Sequence, residues 1–256
     1  MKRLPRIKKT KNGLAMLNLG CGSRTHWEWN NIDFSLYALL AHHRQLAKFL
    51  NAVSILSDFR YQNLLKVDPD IIHWDIGKGL PFEDNVFDAL YNSHFITHLD
   101  RDIAVDVTRE CYRVLKHGGV VRVVVPDLLQ IVCLYNDAID GLKRGDLEAN
   151  GKYKEAVDEL FELMVRKISV GTGKQNPLVR LIERLVRGDI NRTGELRRWH
   201  YDQYSMGAML SNAGFRYVHP VGASESRIQG WNRFGLDLNQ DGSIYKPGSL
   251  YMEGAK

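Results

Sequence analysis

A short segment near the N-terminus limits the possible fold more than any other feature. Residues 15–19 form a mostly apolar run, and Gly20-Cys21-Gly22 follows it at once. A short apolar run of this kind is typical of a strand buried on both faces of a parallel sheet. Two glycines directly after such a strand allow a sharp turn and the close approach of a ligand. The segment therefore predicts an α/β sheet with a ligand-binding turn after its first strand.

The rest of the chain alternates strand and helix patterns. Further strands are predicted at residues 29–34, 71–75, 86–93, 120–125, 216–221 and 249–253. Helices are predicted at residues 36–65 (one or two), 102–115, 128–165, 178–186 and 205–213, with residues 171–177 as a loop. Residues 116–119 (KHGG) are expected to end the helix 102–115 with a left-handed glycine cap. This alternation predicts a doubly wound, mostly parallel sheet.

The 256 residues suit one α/β domain with insertions. We predict a basic flexible arm over residues 1–13 and a single domain over residues 14–256. Helical insertions are expected at about 36–65 and 128–200, the second as a lid over the substrate. The N-terminus lacks the apolar stretch of a signal peptide, and no apolar run is as long as the roughly 18 residues of a membrane span.

Charge and cysteine content narrow the class of protein. The net charge of +5 favours acidic partners, but it does not choose among phosphorylated substrates, anionic lipid surfaces and nucleic acid. The three cysteines include no CxxC pair, which makes a disulfide framework or a zinc knuckle improbable. A reducing, cytoplasmic location is therefore expected.

Carboxylates follow the next two predicted strands. Asp33 and Asp75 end these strands, at the sheet edge where open α/β sheets bind ligands. Asp33 is suited to bind ribose hydroxyls and Asp75 an adenine amino group, although each is also a favoured helix cap. The segment 20–25 (GCGSRT) lacks the third glycine of a dinucleotide site, which argues against a nicotinamide cofactor.

Four stretches carry a resemblance to a known family. LNLGCGS at 17–23, NNIDFS at 30–35, HWDIGKGLPFEDNVFDALYNSHFITHL at 73–99 and ECYRVLKHGGVVRVVVPDL at 110–128 resemble class I S-adenosylmethionine-dependent methyltransferases. The resemblance implies S-adenosylmethionine as cofactor and a Rossmann-like, seven-stranded sheet whose last two strands form a hairpin. It also implies a cofactor site made of Leu19, Gly20, Cys21, Gly22, Asp33, Asp75, Ile76, Asn92 and Ser93. In that site the glycines pass under the methionine part, and Asn92 and Ser93 line the methyl-transfer position.

The chain departs from the family pattern at two places. Only ten residues separate Gly22 from Asp33, so the first crossover helix is expected to be a loop, with the helices of residues 36–65 in its place. Thr97-His98-Leu99 stands where many relatives have Glu-His-Leu, so no role is inferred from that glutamate. A narrower resemblance, at 200–215 and 236–256, is to a bacterial methyltransferase group often associated with surface-polysaccharide synthesis.

Methyl transfer to a hydroxyl requires a positioned acceptor and a base. His94 and His98 have helical i, i+4 spacing and are expected to share a face, with His94 as the preferred base and His98 on the substrate. His200 and Asp127 are further catalytic candidates. The alternatives are a hydrogen-bonded structural histidine and, for Asp127, a helix cap. No third ligand accompanies the histidine pair, so no metal site is predicted.

A cluster of aromatic and basic side chains is expected to form the acceptor wall. Its members are Arg197, Arg198, Trp199, Tyr201 and Tyr204. Trp199 and Tyr201 are suited to stack on a sugar ring, and the arginines to bind a phosphate or carboxylate. The alternative is a packing segment at a helix start. The amphipathic basic stretch 178–187 is expected to be a core-facing helix, with a lid or a membrane-docking helix as alternatives.

These features predict O-methylation of a sugar or glycan-linked acceptor. The alternatives are a small-molecule or lipid-linked acceptor, and a non-catalytic cofactor-binding or regulatory protein. Nucleic-acid methylation ranks last, because residues 92–94 (NSH) lack the Asn/Asp-Pro-Pro-aromatic motif of many amino-methylating enzymes. Peripheral membrane contact through the basic segments remains an alternative to a purely cytoplasmic location.

Overall fold

One sheet organises the computed structural model, which describes residues 4–164 and 198–256. Its strands in chain order are β1 Met16–Leu19, β2 Asn30–Asp33, β3 Ile72–His73, β4 Phe87–Ser93, β5 Leu115–Pro126, β6 Arg216–Val221 and β7 Ser249–Ala255. The spatial order is β3-β2-β1-β4-β5-β7-β6. Neighbours from β3 to β5 run parallel, and β7 runs antiparallel to both β5 and β6. The predicted seven-stranded, mostly parallel sheet with a final hairpin is confirmed.

The described helices follow the predicted regions with different bounds. They are α1 Leu36–Ala41, α2 Arg44–Ala52, α3 Asp58–Leu65, α4 Arg101–Val114, α5 Leu128–Lys143, α6 Ala149–Met164 and α7 Gln203–Asn212. The insertion after β2 holds three short helices, where one or two were expected. Ser54, with φ +59, adopts the left-handed conformation just after α2, and Ser57 begins α3. Such a turn interrupts a helix that hydrophobic spacing alone would have continued.

The two faces of the sheet are covered differently. Leu17, Leu90 and Val123 belong to an apolar core with residues of α4 and α7. On the other face, Met16, Tyr91 and Val124 pack against the irregular stretch between β6 and β7, which contributes Trp231 and Phe234 among others. Around the central strands, α4 and α7 therefore cover one face and mainly irregular chain covers the other.

The predicted glycine cap after α4 is wrong. Helix α4 ends at Val114, and the chain enters β5 directly, with Leu115 already extended at φ −74° and ψ 142°. Residues 116–119 form a bulge, since the pairing with β4 jumps from Phe87↔Leu115 to Ala89↔Val120. The Gly118 amide donates to the Lys256 carbonyl at 2.8 Å, and the Lys256 amide donates to Gly119 at 2.9 Å. The two glycines thus form the part of the bulge that hydrogen-bonds to Lys256.

The N-terminal segment is attached to the domain at Lys8. Its backbone amide donates to Asn30 Oδ1 at 2.7 Å, and Asn30 Nδ2 donates back to the Lys8 carbonyl at 3.0 Å. The Lys8 ammonium lies 3.4 Å from Asp68 and 3.1 Å from Asp70. These contacts hold part of the predicted flexible arm against the beginning of β2.

Several predicted features lie outside the described residues. They are the loop 171–177, the amphipathic stretch 178–187 and Arg197. Within residues 128–164, the predicted second insertion consists of α5 and α6. No helix within the described ranges is long and apolar enough to cross a membrane.

Candidate functional site

The glycine turn after β1 needs its two glycines for different reasons. Both have positive φ, +64° at Gly20 and +52° at Gly22. A Cβ on Gly20 would lie 2.2 Å from Phe95 Cγ, so the Phe95 ring packs directly on this glycine. A Cβ on Gly22 would meet nothing within 4 Å. The close approach expected at Gly20 is thus made by Phe95, and the open space for a ligand lies at Gly22.

Asp33 ties the end of β2 to this turn. Its Oδ2 accepts the Gly22 amide at 2.8 Å, and its Oδ1 accepts the Ser35 amide at 2.6 Å. The helix-cap alternative for Asp33 fails, because Ser35 is the N-cap residue of α1. No helix separates β1 from β2, as expected from the short sequence between them. Each carboxylate oxygen still has a lone pair for a ribose hydroxyl.

The end of β3 holds the residues expected near adenine. Asp75 caps the 3-10 turn Ile76–Lys78 by accepting the Gly77 amide at 3.2 Å, and it pairs with Lys78 at 3.0 Å. The capping alternative for Asp75 is therefore confirmed, while an adenine contact stays a prediction. The Ile76 side chain is buried in the core.

Phe34, an aromatic residue that was not predicted to belong to the site, lies beside Asp33. Phe34 is 54% exposed, and its ring stacks on His73 with centroids 5.2 Å apart. Phe34 directly follows β2, and His73 is the last residue of β3. An exposed aromatic directly after a strand-terminal aspartate was the available signal, since such a ring is suited to stack on a base.

The end of β4 carries a buried acceptor with no donor. Asn92 is buried, and its Oδ1 has no hydrogen-bond partner among the described residues. Leaving such a group unpaired costs about 1–3 kcal/mol. The protonated amino group of S-adenosylmethionine has the donors that this oxygen lacks, and Gly22 borders open space. The residues present therefore fit that cofactor.

Leu19 and Cys21 have buried side chains. Leu19 is fully buried, and Cys21 packs with residues of α1, α2 and α3. Burial, followed by the Asp33 charge, raises the pKa of the Cys21 thiol well above its usual value. Neither side chain is available to a ligand, so only their backbone atoms remain candidates.

The predicted helical pairing of His94 and His98 is wrong. His94 has φ +56°, and the chain then forms the 3-10 turn Ile96–His98. Thr97 Oγ1 donates to the His94 carbonyl at 3.0 Å, which stabilises this tight turn where an α-helix was expected. His94 Nε2 lies 2.9 Å from Ser249 Oγ. Among the described residues, no group of three or more His, Cys, Asp or Glu side chains could hold a metal ion.

Residues 198–201 lie across the ends of β4 and β5. The Arg198 amide donates to the Thr97 carbonyl at 2.7 Å, just after β4. The Leu128 amide donates to the Tyr201 carbonyl at 3.1 Å, just after β5. Between these anchors Trp199 is 40% exposed. The segment thus presents one large ring at the edge where the acceptor is expected.

The other members of the predicted acceptor wall are placed less favourably. Tyr201 is buried in the apolar core, so it is not available to stack on a sugar. Arg198 already pairs with Asp100, with Nη1 2.6 Å from Oδ1. Tyr204 lies in α7 and is 70% exposed. His98 and His200 are half-buried, and their roles stay predictions.

Asp127 is a helix cap. Its Oδ1 accepts the amides of Leu129 at 3.1 Å and Gln130 at 3.4 Å, at the start of α5. A helix cap was the alternative to a catalytic role for Asp127. The carboxylate belongs to the helix start, and a proton-accepting role for it stays a prediction.

A buried polar network behind the site was missed from the sequence. Arg122 in β5 is fully buried, with Nε 2.8 Å from Asp237 and Nη1 2.9 Å from Glu253. The Tyr91 hydroxyl donates to Asp237 at 2.5 Å. Burial raises the pKa of Tyr91 and that of Asp237. An arginine inside the apolar run 120–125 (VVRVVV) was the signal, since a charge there requires buried partners.

The first residue of β7 and the segment before it contact the end of β4. Lys246 Nζ donates to Ser93 Oγ at 3.3 Å, and Ser249 contacts His94 as described. Ser93 is half-buried at the last position of β4. No sequence motif marked Lys246 or Ser249, because only the antiparallel pairing of β7 with β5 brings them here.

Comparisons with known proteins gave one family-model match and several similar solved structures. Residues 17–123 match the family model described as a methyltransferase domain. Solved structures that resemble the chain include a possible exported protein from Bordetella parapertussis, of which the chain covers 63% (98% of this chain, 11% identity, TM-score 0.41). They also include a SAM-dependent methyltransferase from Archaeoglobus fulgidus (94% of this chain, 85% of that protein, 12% identity, TM-score 0.40) and the YcgJ protein of Bacillus subtilis (94%, 91%, 13%, TM-score 0.44). No curated protein matches the sequence.

Proposed function

We propose that the chain is an S-adenosylmethionine-dependent methyltransferase that methylates a hydroxyl oxygen of a sugar or glycan-linked acceptor; the match of residues 17–123 to a methyltransferase-domain model supports the methyl-transfer part. The observation that carries this proposal is the placement of residues 198–201 across the ends of β4 and β5, with Trp199 exposed between its two anchors. An exposed indole beside the methyl-transfer edge is suited to stack on the apolar face of a sugar ring.

The cofactor would be held at the ends of β1, β2 and β4. S-adenosylmethionine supplies an electrophilic methyl group on a sulfonium. Asp33 would accept its ribose hydroxyls, Phe34 would stack on its adenine, and Asn92 Oδ1 would accept from its amino group. Asp75 and Ile76 keep their predicted place near the adenine.

The groups around Ser93 favour a hydroxyl acceptor. Ser93 and Ser249 supply hydroxyls, and Lys246 supplies an ammonium near the end of β4. These groups hydrogen-bond and orient an alcohol. The principal task of such a site is positioning, because methyl transfer is an in-line displacement. His94 remains a candidate base, held by Ser249.

Binding of the cofactor is the first test. Titration calorimetry with S-adenosylmethionine is expected to show binding by the wild type and at least tenfold weaker binding by Asp33→Ala. Asp140→Ala is the matched control, because Asp140 is an exposed carboxylate on α5. Equal affinity in the wild type and Asp33→Ala, at unchanged thermal stability, would remove the assigned ribose site.

Turnover separates an enzyme from a binding protein. Release of S-adenosylhomocysteine is measured with a panel of nucleotide sugars and a bacterial glycan extract, and the product is located by mass spectrometry with labelled cofactor. Trp199→Ala is expected to raise KM for the acceptor with little change in cofactor affinity. Cofactor binding without release on any acceptor would favour the regulatory alternative.

A lipid-linked acceptor is the second candidate, favoured by the insertion after β2. Leu46 and Phe49 on α2, and Val53 directly after it, are each about half exposed or more, and Arg44 and Lys48 lie on the same helix. An apolar face with basic residues is suited to an anionic lipid surface. Co-sedimentation with anionic and neutral vesicles tests it, with Phe49→Ser as the variant and Leu147→Ser, exposed elsewhere, as control.

A further inference from the structure

A guanidinium group lies beside the exposed ring of Trp199. Arg101 is the first residue of α4, and its guanidinium carbon Cζ lies 5.0 Å from the centroid of the Trp199 ring. A cation–π contact of this kind stabilises both side chains and restrains the position of the cation. Both residues are exposed, so a molecule bound at this edge of the sheet can reach the ring and the charge together.

The backbone holds this pair just beyond the end of β4. The Thr97 carbonyl accepts the amides of Arg198 at 2.7 Å and of Trp199 at 3.3 Å. Thr97 belongs to the 3-10 turn Ile96–His98, and Asp100, the N-cap residue of α4, follows that turn closely. Arg101 and Trp199 therefore come from separate segments that are joined at one point of the edge where the acceptor is expected.

Arg198 and Arg101 differ in what neutralises their charge. Arg198 Nη1 lies 2.6 Å from Asp100 Oδ1 and 2.5 Å from Oδ2. Within the part of the chain that the structure describes, the Arg101 side chain has no ion pair and no hydrogen bond. Asp102 is the next residue, but successive side chains of a helix project about 100° apart. Arg101 thus keeps its charge and its N–H donors for a ligand, whereas Asp100 already neutralises Arg198.

An indole beside a guanidinium matches a sugar that carries an anionic group. Arg101 contacts one face of the Trp199 ring, so the rest of the exposed ring surface remains for the apolar face of a sugar. A carboxylate or phosphate accepts two parallel N–H donors from one arginine, and such charge-assisted bonds are the strong ones. A neutral sugar would use the ring and leave the guanidinium without a partner. The net charge of +5 also favours an anionic acceptor.

We propose that Arg101 selects acceptors that carry a carboxylate or a phosphate, so the substrate is an acidic or phosphorylated sugar or glycan. The inference rests on the proposed sugar acceptor and states its chemical class. Arg101 is a specificity-determining residue in this account. It binds a group of the acceptor other than the oxygen that is methylated, and it takes no part in the bond changes.

The first test compares charged and neutral acceptors by S-adenosylhomocysteine release. Arg101→Met keeps the apolar stem and removes the charge. It is expected to raise KM for an acidic or phosphorylated sugar about tenfold, because bonds to a charged group are lost, and to leave kcat and the KM for a neutral sugar unchanged. Arg101→Lys keeps the charge without the paired donors and should lie between the two. Arg109→Met is the matched control, because Arg109 is an exposed arginine of α4 that pairs with Asp106 at 3.0 Å.

A second measurement needs no turnover. Nitrogen-15 labelling gives one indole N–H signal for each of the five tryptophans, and the Trp199 signal is identified by its absence in Trp199→Phe. With S-adenosylhomocysteine present, glucuronic acid or glucose 6-phosphate is expected to shift this signal at lower concentration than methyl glucoside, and added salt should reduce the difference. The two charged probes distinguish a carboxylate from a phosphate. Equal midpoints for charged and neutral probes, or no shift by either charged probe, overturns the inference.

A structural role for the stacked pair gives a different result. If Arg101 only holds residues 198–201 in place, Arg101→Met lowers the thermal stability and weakens charged and neutral sugars alike. Selective loss of the charged sugars at unchanged thermal stability is the expected result, and equal weakening of both contradicts it.

Failure of this inference is distinguishable from failure of the proposed function. Absence of product on every sugar contradicts the sugar acceptor, while the Trp199 titration still decides whether Arg101 binds an anionic group. Product formed by the wild type with equal KM on charged and neutral sugars contradicts the role of Arg101 alone.

Discussion

The two faces of the sheet are both buried, but the side chains that bury them differ in chemistry. The face under α4 and α7 is apolar at Leu17, Leu90 and Val123. The opposite face holds Arg122 in the middle of β5, between Val121 and Val123, which point the other way. Both faces exclude water, and in the part of the chain that the structure describes the buried Arg122 network lies on the second face.

The covering segments explain this difference. Helices satisfy their own backbone hydrogen bonds, so α4 and α7 can bury purely apolar residues against the sheet. The irregular segment after β6 leaves backbone carbonyls that need donors. Arg122 supplies them at 2.8 Å to Glu225, 3.0 Å to Gly222 and 3.1 Å to Ala223. Arg122 thus satisfies backbone carbonyls of the irregular segment, whereas on the other face the helices satisfy their own.

The largest expected effect comes from removing that arginine. Arg122→Met removes the guanidinium from two buried carboxylates and three carbonyls, and should lower the free energy of unfolding by about 3–5 kcal/mol at neutral pH. Burial already raises the pKa of Asp237 and Arg122 lowers it, so without Arg122 the pKa of the folded-state Asp237 lies further above its unfolded value. The folded variant then binds more protons than the unfolded chain, so it regains stability as pH falls.

Leu90→Ala on the apolar face is the matched comparison. It should cost about 2–5 kcal/mol by leaving a cavity, independent of pH. Urea unfolding at pH 7.5 and pH 5.5 measures both variants. Equal pH dependence of the two variants would contradict the proposed difference between the two faces.

The next effect is expected where the apolar face meets the glycine turn. Gly20→Ala should cost about 1–2 kcal/mol for its positive φ and about 1–3 kcal/mol for overpacking against Phe95. Gly22→Ala has the first cost without the second, because open space surrounds it. Thermal unfolding of both, with a double-mutant cycle between Gly20→Ala and Phe95→Ala, isolates the steric contribution. A cycle with no coupling would show that Phe95 moves aside freely.

The order of strands and helices could be predicted because each of them depends on the residue pattern of its own segment. The strands around Leu17, Leu90 and Val123 and the end of α7 at Gly214 follow from apolar runs and a glycine with φ +107°. Asp33 could be placed at the ligand edge for the same reason. These positions need no knowledge of what lies across the sheet.

The rest depends on contacts between distant residues. The glycines of residues 116–119 were predicted to cap a helix, but they lie in a bulge that hydrogen-bonds to Lys256. His94 and His98 matched a helix, but Thr97 tightens the turn between them. Asp237, Lys246 and Ser249 reach the site only because β7 inserts antiparallel beside β5. Spacing along one chain segment does not contain that information.

The smallest effect compares one hydroxyl on each side of the sheet. Ser226→Ala removes a donor from the Glu253 carboxylate and should cost about 1.5–3 kcal/mol at neutral pH, because bonds to charged groups are the stronger ones. Thr108→Val in α4 removes a buried bond to the Ala104 carbonyl of 2.7 Å, for about 0.5–1.5 kcal/mol. Urea unfolding at pH 7.5 measures both variants. A Ser226→Ala deficit no larger than the Thr108→Val deficit would contradict the stronger bond to the buried carboxylate.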